Sequence, residues 1–574
     1  MRARRALPVV AGALGLIGLG LVTPPPVAAA DPPALVVRGQ FQADAGQVGE
    51  TGTEISAFDP ASDRLFSTNG ALNRLDVVDL RDVDAPVLLD SVDMAPYGSG
   101  LQSVAVHDGL VAVAVQGALK TDAGVVVLLD AASLAVLEVV PVGALPDMVT
   151  FTPDGTRILV ANEGEPLCTA YDADTDTPTF TDPVGSISVI DVSGGPASAS
   201  VATAGFGAFD AQKAALAAEG VRFNFFDNSV SQQLEPEYIT VSPDGSTAWA
   251  SLQEANAIAV VDVATATVTD VYPLGLKDHR LPQFAIDASN EDGPGGDQLP
   301  GSFRTWPVSG MYMPDAVASF ETGGVEYLIT ANEGDAREWY VGDDEDAELC
   351  FVDVERIKDL DLDTTIPELS DPDLQDDDQL GRLNATTTAL STQNGAEEYT
   401  SLAVFGGRSA TIRNAATGAI VWDSATDPST DLEDITLAAG TVDDGRSDDK
   451  GSEPEAVTVI EAYGTTLALV GLERTSGIVL YDVSDPAAPT FLQYATPPGD
   501  ESVEGLFTVS AADSPTGTPL VIASHEVSNT VRVLELTGTE PASTPTPVPA
   551  VPTVPVVPQA PAAAPVTARP SFVG

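Results

Sequence analysis

Two series of oxygen-bearing side chains recur along this chain at matching places. The first is Glu54, Gln102, Asp147, Glu237, Asp315, Glu455 and Glu504, each standing at the entry to a β-rich run. The second follows each run after a turn and a further β-rich stretch: Asn69, Gln116, Asn162-Glu163, Gln253-Glu254, Asn332-Glu333, Glu473 and His525-Glu526. Twice the second series is spelled ANEG, in "TPDGTRILVANEGEP" and in "GGVEYLITANEGDARE". Carboxylates in this number are hard oxygen donors suited to Ca²⁺, or to Mg²⁺ that keeps some of its waters. Brought to one place they repel: two unit charges 4 Å apart interact by about 4 kcal/mol at an effective dielectric of 20. Such a set needs bound cations, raised pKa values or hydrogen bonds from backbone N–H groups. The candidate ligands are therefore Asp147, Glu163, Glu237, Glu254, Asp315, Glu333, Glu455, Glu473, Glu504 and Glu526. Asp448 and Asp449 join them, because "DDGRSDDKGSEPEAV" leads directly into Glu455. A structural reading stands beside this one, in which the acids cap turns and join neighbouring repeats. The second repeat is neutral at both places, Gln102 and Gln116, so loss of the two acids is paired.

Other chemistries have less to work with. The histidines are His107, His279 and His525 and there are two cysteines, a poor donor set for zinc. No GxSxG, HExxH or phosphate-cradling glycine loop before a helix is present. Arg337, Arg408, Arg446, Lys450 and Arg474 fall in loops near the acids. A Ca²⁺-dependent phosphoester hydrolase of the β-propeller phytase type, with these cations holding substrate phosphates, is thus an alternative to a binding protein. A purely structural adhesion scaffold is a third reading, and whether the chain is an enzyme stays open. "DADTDT" (172–177) and "DLDLD" (359–363) have alternating oxygens but lack the glycine and terminal glutamate of a calcium loop, and read as solvated loops.

The elements that position the acids form a repeat. Seven stretches, beginning near residues 53, 101, 146, 236, 314, 454 and 503, each run β–turn–β, with turns such as TPDG and SPDG suited to hairpins. Most continue into a third apolar run ending in an acid ("NRLDVVDL", "GSISVIDV", "NAIAVVDV", "GIVLYDVS") and often a fourth. In the fifth repeat a long insertion displaces these, and "SATIRNAATGAIVWDS" (409–424) restores them. The pattern predicts an all-β seven-bladed β-propeller of four-stranded antiparallel blades over residues 34–540, with acidic loop insertions. "ALVVRGQF" (34–41) is expected to supply the last blade's missing strand and so close the ring. The first strand of each blade lines the channel, which puts the two acidic series at one mouth. Residues 205–235 are expected to hold a short helix capped by Asp210 and stopped by Gly220. Residues 335–400 and 425–453 read as acidic, mostly irregular decoration of one face.

Of 574 residues, 85 are acidic and 25 basic, for a net charge of −60. That balance excludes nucleic acid and anionic membrane as natural partners and favours divalent cations, although solubility alone also explains an acidic surface. Arg2, Arg4 and Arg5, the apolar run after them and Ala28-Ala29-Ala30 read as a signal peptide over residues 1–30. No later run is long and apolar enough to span a bilayer. Residues 541–574, rich in Pro and Ala, read as an extended, disordered tail without a recognisable anchor. The expected location is secreted, or bound to the cell surface or cell wall, with an extracellular or wall component as partner. In an oxidising compartment Cys168 and Cys350 are free to pair, but spacing alone does not decide it.

The succession "ANEGEP", "LEPEYITVSPDG", "ITANEGDARE", "LGRL", "FGGRSATI", "RSDDKGSEPEAV", "VGLERTSGIVLYDVSDP" and "DSPTGTPLVIASHEVSNTVRVLEL" resembles the choice-of-anchor I family. It is also similar to the mesenchyme-specific cell-surface glycoproteins of biomineralising animal cells. The resemblance implies a β-propeller-like secreted or surface domain with a variable C-terminal anchor, and the animal relatives imply a link to calcium mineral. It carries over no catalytic residue.

Overall fold

The computed structural model describes residues 31–539 apart from 45–51, 173, 174, 176, 225 and 343–346; the signal-peptide and tail readings lie outside the described residues. The apolar runs become strands where they were expected. Sheet 1 contains Ser56–Asp59, Arg64–Asn69, Arg74–Asp79 and Val87–Asp93, and sheet 2 contains Gly100–His107, Leu110–Gln116, Ala123–Asp130 and Val136–Ala144. Sheets 3 and 4 follow over 146–205 and 239–273, sheet 5 over 317–332 and 409–423, and sheet 6 over 454–495. Sheet 7 pairs Val503–Val509, Leu520–His525 and Thr530–Thr537, and takes Ala34–Gln42 from the other end of the chain as its outer strand. Among the described residues there are thus seven four-stranded antiparallel sheets in an all-β fold.

Their packing follows from the sequence. Inner strands are apolar on both faces, as in Val111–Val115, because each sheet is covered front and back. A buried cluster separates each consecutive pair of sheets. One also joins the seventh to the first, with Phe58, Leu65 and Val78 against Val509, Leu520 and Ile522. The first strand of each sheet touches the first strands of the sheets before and after it, and that of sheet 7 touches that of sheet 1.

The insertions depart from expectation. Residues 335–400 are not merely irregular. Val354–Arg356, Asn384–Thr386 and Tyr399–Val404 join Leu276–Asp278 and Val308–Met311 in a separate sheet, in which Val308–Met311 runs parallel to Tyr399–Val404. This sheet has its own core of Ile286, Trp306, Ile357, Leu383 and Leu402. Within 425–453, Leu432–Ala439 is an α-helix capped by Asp431 and ended by Gly440. The expected helix is Lys213–Glu219, stopped by Gly220 in the left-handed conformation, but Asp210 does not cap it: its carboxylate accepts from the backbone N–H and hydroxyl of Ser231 instead. The DLDLD segment buries Leu360 and Leu362 in the second core and turns Asp363 outward to cap Thr365. Two hairpins, Leu167–Asp172 with Thr177–Thr181 and Glu338–Tyr340 with Leu349–Val352, are joined by a Cys168–Cys350 disulfide. Trp339 packs edge-on against Phe180 between them.

Candidate cation-binding mouth

The ANEG corner divides its labour residue by residue. Ala161 and Ala331 are wholly buried between sheets. Asn162 is a latch: its Oδ1 accepts from Gly143 N at 2.9 Å, and its Nδ2 donates to the Ser186 carbonyl at 3.1 Å and to Ser188 Oγ at 3.0 Å. The glycine allows a close crossing. Gly334 has φ +92°, and a Cβ there would meet Gly406 N at 2.2 Å. Only the glutamate is left for the solvent side.

Backbone geometry then brings the two acidic series together. Leu145, Glu453 and Ser502, just before three of the first strands, and Met313, four residues before a fourth, adopt φ of 45°, 49°, 64° and 42°. A left-handed non-glycine residue costs roughly 1–2 kcal/mol. Each carbonyl accepts an N–H from the corner after the second strand, from Glu163, Glu473, Glu526 and Gly334 respectively, all at 2.9 Å. Pairing also breaks register at the first acid: between Pro146 and Val149, Pro454 and Val457, and Val503 and Gly505. Asp147, Glu455 and Glu504 fall in these irregular steps, which re-aim a side chain out of the sheet. Gln102 occupies the same step in sheet 2.

The result is a cavity of about 940 Å³ whose lining includes Asp147, Glu163, Glu237, Glu254, Asp315 and Asp449. Arg337, Arg446, Lys450 and Arg474 also line it. Two carboxylate trios form, Glu163–Glu237–Glu254 and Glu333–Glu455–Glu473, each with one oxygen per residue within 4.8 Å of the others. They differ in compensation. In the second, Lys450 Nζ bonds Glu333 and lies 3.6 Å from Asp335 and 3.5 Å from Glu453, while Arg474 Nη1 is 3.2 Å from Glu473. Gln253 Nε2 also donates to Glu333 at 2.7 Å. In the first, Glu237 Oε2 and Glu254 Oε2 are buried with no donor from a neutral or basic side chain among the described residues, and the two carboxyls lie within hydrogen-bonding reach of each other. The buried Arg337 guanidinium pairs with Glu235 at 3.5 Å, and its charge also acts, less directly, on Glu254 and Glu237.

Burial dominates the electrostatics. It pushes the carboxyls of Asp147 up to about 6, Glu473 to about 7 and Glu54 to about 8. Glu163, Glu237, Asp315, Glu455 and Glu504 are pushed well above the usual range, by burial first and then by neighbouring carboxylates. Burial opposes the Lys450 ammonium, but Glu333, Asp335 and Glu453 outweigh it and hold its pKa high.

Some sequence candidates lie elsewhere or are already committed. The Asp448 carboxylate is turned to Arg356 and Arg382, at 2.8 and 2.9 Å, rather than to the mouth. Asp449 accepts from Arg446 at 2.6 Å. Arg408 is buried, with three of its five guanidinium N–H groups on the carbonyls of Asp287, Ser447 and Asp449, which turns it toward backbone rather than toward the cavity. Glu504 is close enough to Glu526, Asp315 and Glu54 for their charges to act on it, but it belongs to neither trio. Sequence reading missed Glu165, Glu235, Asp335 and Glu453. Glu453 is fully buried and takes Arg446 and Arg474 as well as Lys450. The repeated Glu-Pro-Glu of 235–237 and 453–455 was the available signal.

The sequence profile of the choice-of-anchor I domain matches residues 54–486, most of the chain. The chain belongs to the choice-of-anchor I family. The matched span of this choice-of-anchor I domain contains both carboxylate trios and ends before sheet 7 begins. No curated protein matches the sequence. Among solved structures it is similar to the hydrazine synthase of Kuenenia stuttgartiensis, with 12% identity and a TM-score of 0.42, over 88% of this chain and 97% of that one. It is likewise similar to the Cps50 (Swd1) β-propeller domain of Myceliophteria thermophila, with 8% identity and a TM-score of 0.41, over 88% of this chain and 100% of that one.

Proposed function

We propose that this choice-of-anchor I protein is an exported or surface-displayed, closed seven-bladed β-propeller that binds Ca²⁺ at its acidic mouth. The observation that carries the reading is the contrast between the two trios. Lys450 and Arg474 pair with Glu333 and Glu473 of the second trio, whereas Glu237 and Glu254, beside Glu163, have no ion pair among the described residues and face only each other's carboxyl. Leaving such oxygens unsatisfied costs more than an ordinary hydrogen bond returns, and a hard divalent cation satisfies several at once. The cation therefore belongs at Glu163–Glu237–Glu254, with Asp147 and water completing its shell. The phosphoester-hydrolase alternative has weaker support. Arg446, Lys450 and Arg474 line the cavity but already share Glu453, and Arg408 is spent on backbone carbonyls.

Calorimetric titration of chelator-stripped protein tests the reading. Ca²⁺ is expected to bind and, at a hundred times its Kd, to stabilise the fold by about 2.7 kcal/mol. Glu237→Gln with Glu254→Gln should abolish that site. Unaltered binding in the double variant would refute the assignment. Phosphomonoester turnover dependent on Ca²⁺ would instead favour the hydrolase.

A further inference from the structure

Lys277 and Asp423 meet where the separate, inserted sheet touches sheet 5, and neither lines the mouth cavity. Lys277 is the middle residue of Leu276–Asp278, and Asp423 ends Ile420–Asp423, the outer strand of sheet 5. Each is 2% exposed. Lys277 Nζ is 3.1 Å from Asp423 Oδ1 and 3.1 Å from Oδ2, so it faces the carboxyl carbon between them rather than one oxygen. Its other hydrogen bonds go to the Gly407 carbonyl at 2.7 Å and to Ser409 Oγ at 2.6 Å. The rings of Phe284 and Tyr312 cover the ammonium, with centroids 5.3 and 5.5 Å from Nζ. The packing is tight: a Cβ at Gly407 would lie 3.1 Å from Tyr312 Cδ1.

A buried ion pair gains little over the desolvation of its two charges. The Asp423 carboxyl, however, has more than a counter-ion. Its Oδ1 accepts from Ala425 N at 3.1 Å and its Oδ2 from the Tyr312 hydroxyl at 3.3 Å. Donors on both oxygens stabilise the negative charge that develops there when a nucleophile adds to the carbon. An amine held in contact with a carboxyl group reacts as an intramolecular partner, in place of a slow bimolecular condensation. A site closed to water also protects the product from hydrolysis.

We propose that Lys277 and Asp423 condense to an isopeptide bond between Nζ and Cγ, formed by the folded chain itself. A proton passes from the ammonium to the carboxylate, which leaves a neutral amine and a neutral acid. Nζ adds to Cγ while the Ala425 N–H and the Tyr312 hydroxyl hold the oxygens. A second proton moves from Nζ to the hydroxyl oxygen, the Cγ–O bond breaks and one water leaves. Atoms and charge balance without an oxidant or a reductant. The bond joins residues 146 positions apart, so it closes a long loop and constrains the unfolded chain as a disulfide does. It fastens the inserted sheet to sheet 5 whether or not the mouth holds an ion.

The test is the intact mass of the purified full chain, followed by a tryptic map. The mass is expected to fall one water short of the processed sequence with its disulfide. Trypsin should fail to cut after Lys277, and the peptide that carries it should appear joined to the one that carries Asp423. Lys277→Met should regain the water and release the two peptides. Tyr312→Phe should leave a larger unjoined fraction than wild type in freshly made protein, and an equal fraction would refute the part given to Tyr312. Separate, unmodified peptides for Lys277 and Asp423 in the wild type would overturn the inference. A missing water traced to a succinimide at an aspartyl–glycine step, with those peptides unjoined, would overturn it equally. If Lys277→Met does not fold, the wild-type map still decides, and its outcome is independent of Ca²⁺ at the mouth.

Discussion

At the scale of single residues, a buried carboxylate without a partner stays neutral or finds a cation. The fold raises the pKa of Asp147 to about 6, Glu473 to about 7 and Glu54 to about 8, so it favours their protonated forms. Proton binding then favours the native state below the ordinary carboxyl pKa of about 4.3. That contribution is lost as pH rises through the folded-state values. Chelator-treated protein is expected to unfold at progressively lower temperature from about pH 5 to pH 8. Saturating Ca²⁺ should flatten the part of this dependence carried by Asp147, Glu163 and Glu237, leaving that of Glu473 and Glu54, and Ca²⁺ binding should release protons over the same window. Thermal melts with and without Ca²⁺ across that range check it, and an equally steep pH dependence in both would contradict it. The carboxylates themselves were legible in the sequence because they recur at matching places. Their compensation was not. Lys450 and Arg474 both turn to Glu453, and nothing in the sequence around them distinguished them from Arg408, which is turned to backbone carbonyls.

At the scale of elements, the corner after the second strand of a sheet explains why ANEG was readable as a motif but not as a mechanism. Its repetition is visible in one dimension. The left-handed residue ahead of four of the first strands, whose carbonyl takes the corner N–H, is Leu145, Met313, Glu453 or Ser502, and shares no side-chain type. A backbone device of this kind leaves no letter to find. The glycine does leave one. Gly334→Ala places a methyl group 2.2 Å from Gly406 N at φ +92°, and is expected to cost more than about 1 kcal/mol in chemical denaturation. Gly205→Ala, with nothing within 4 Å and no positive φ, serves as control and should change stability by less than about 0.5 kcal/mol. Equal losses at the two positions would show that the crossing is not tight.

At the scale of the molecule, the seven four-stranded sheets were legible because each is a local repeat with strong turns, and even the strand 34–41 could be placed by counting what the last repeat lacked. The inserted sheet was hidden because its strands are two to six residues long and come from two segments separated by the first two strands of sheet 5. Periodicity over so few residues has no power to separate strand from loop. The N-terminal strand makes a global prediction. Ala34–Gln42 pairs with Thr530–Thr537 and buries Leu35 and Phe41. Its deletion forfeits about 1.5–3 kcal/mol for each of those side chains and exposes a bare edge. The shortened chain should melt lower and self-associate in sedimentation experiments. A monomer of unchanged stability would mean that the sheets do not depend on that closure.

Anomalous diffraction from crystals soaked in Mn²⁺ or Ca²⁺ tests the central claim most directly, because it locates the ion without passing through stability. A peak ringed by Glu163, Glu237 and Glu254, with none at the Lys450-compensated trio, is the predicted result. A mouth free of density at saturating metal, or an ion bound only at Glu333, Glu455 and Glu473, would contradict the account.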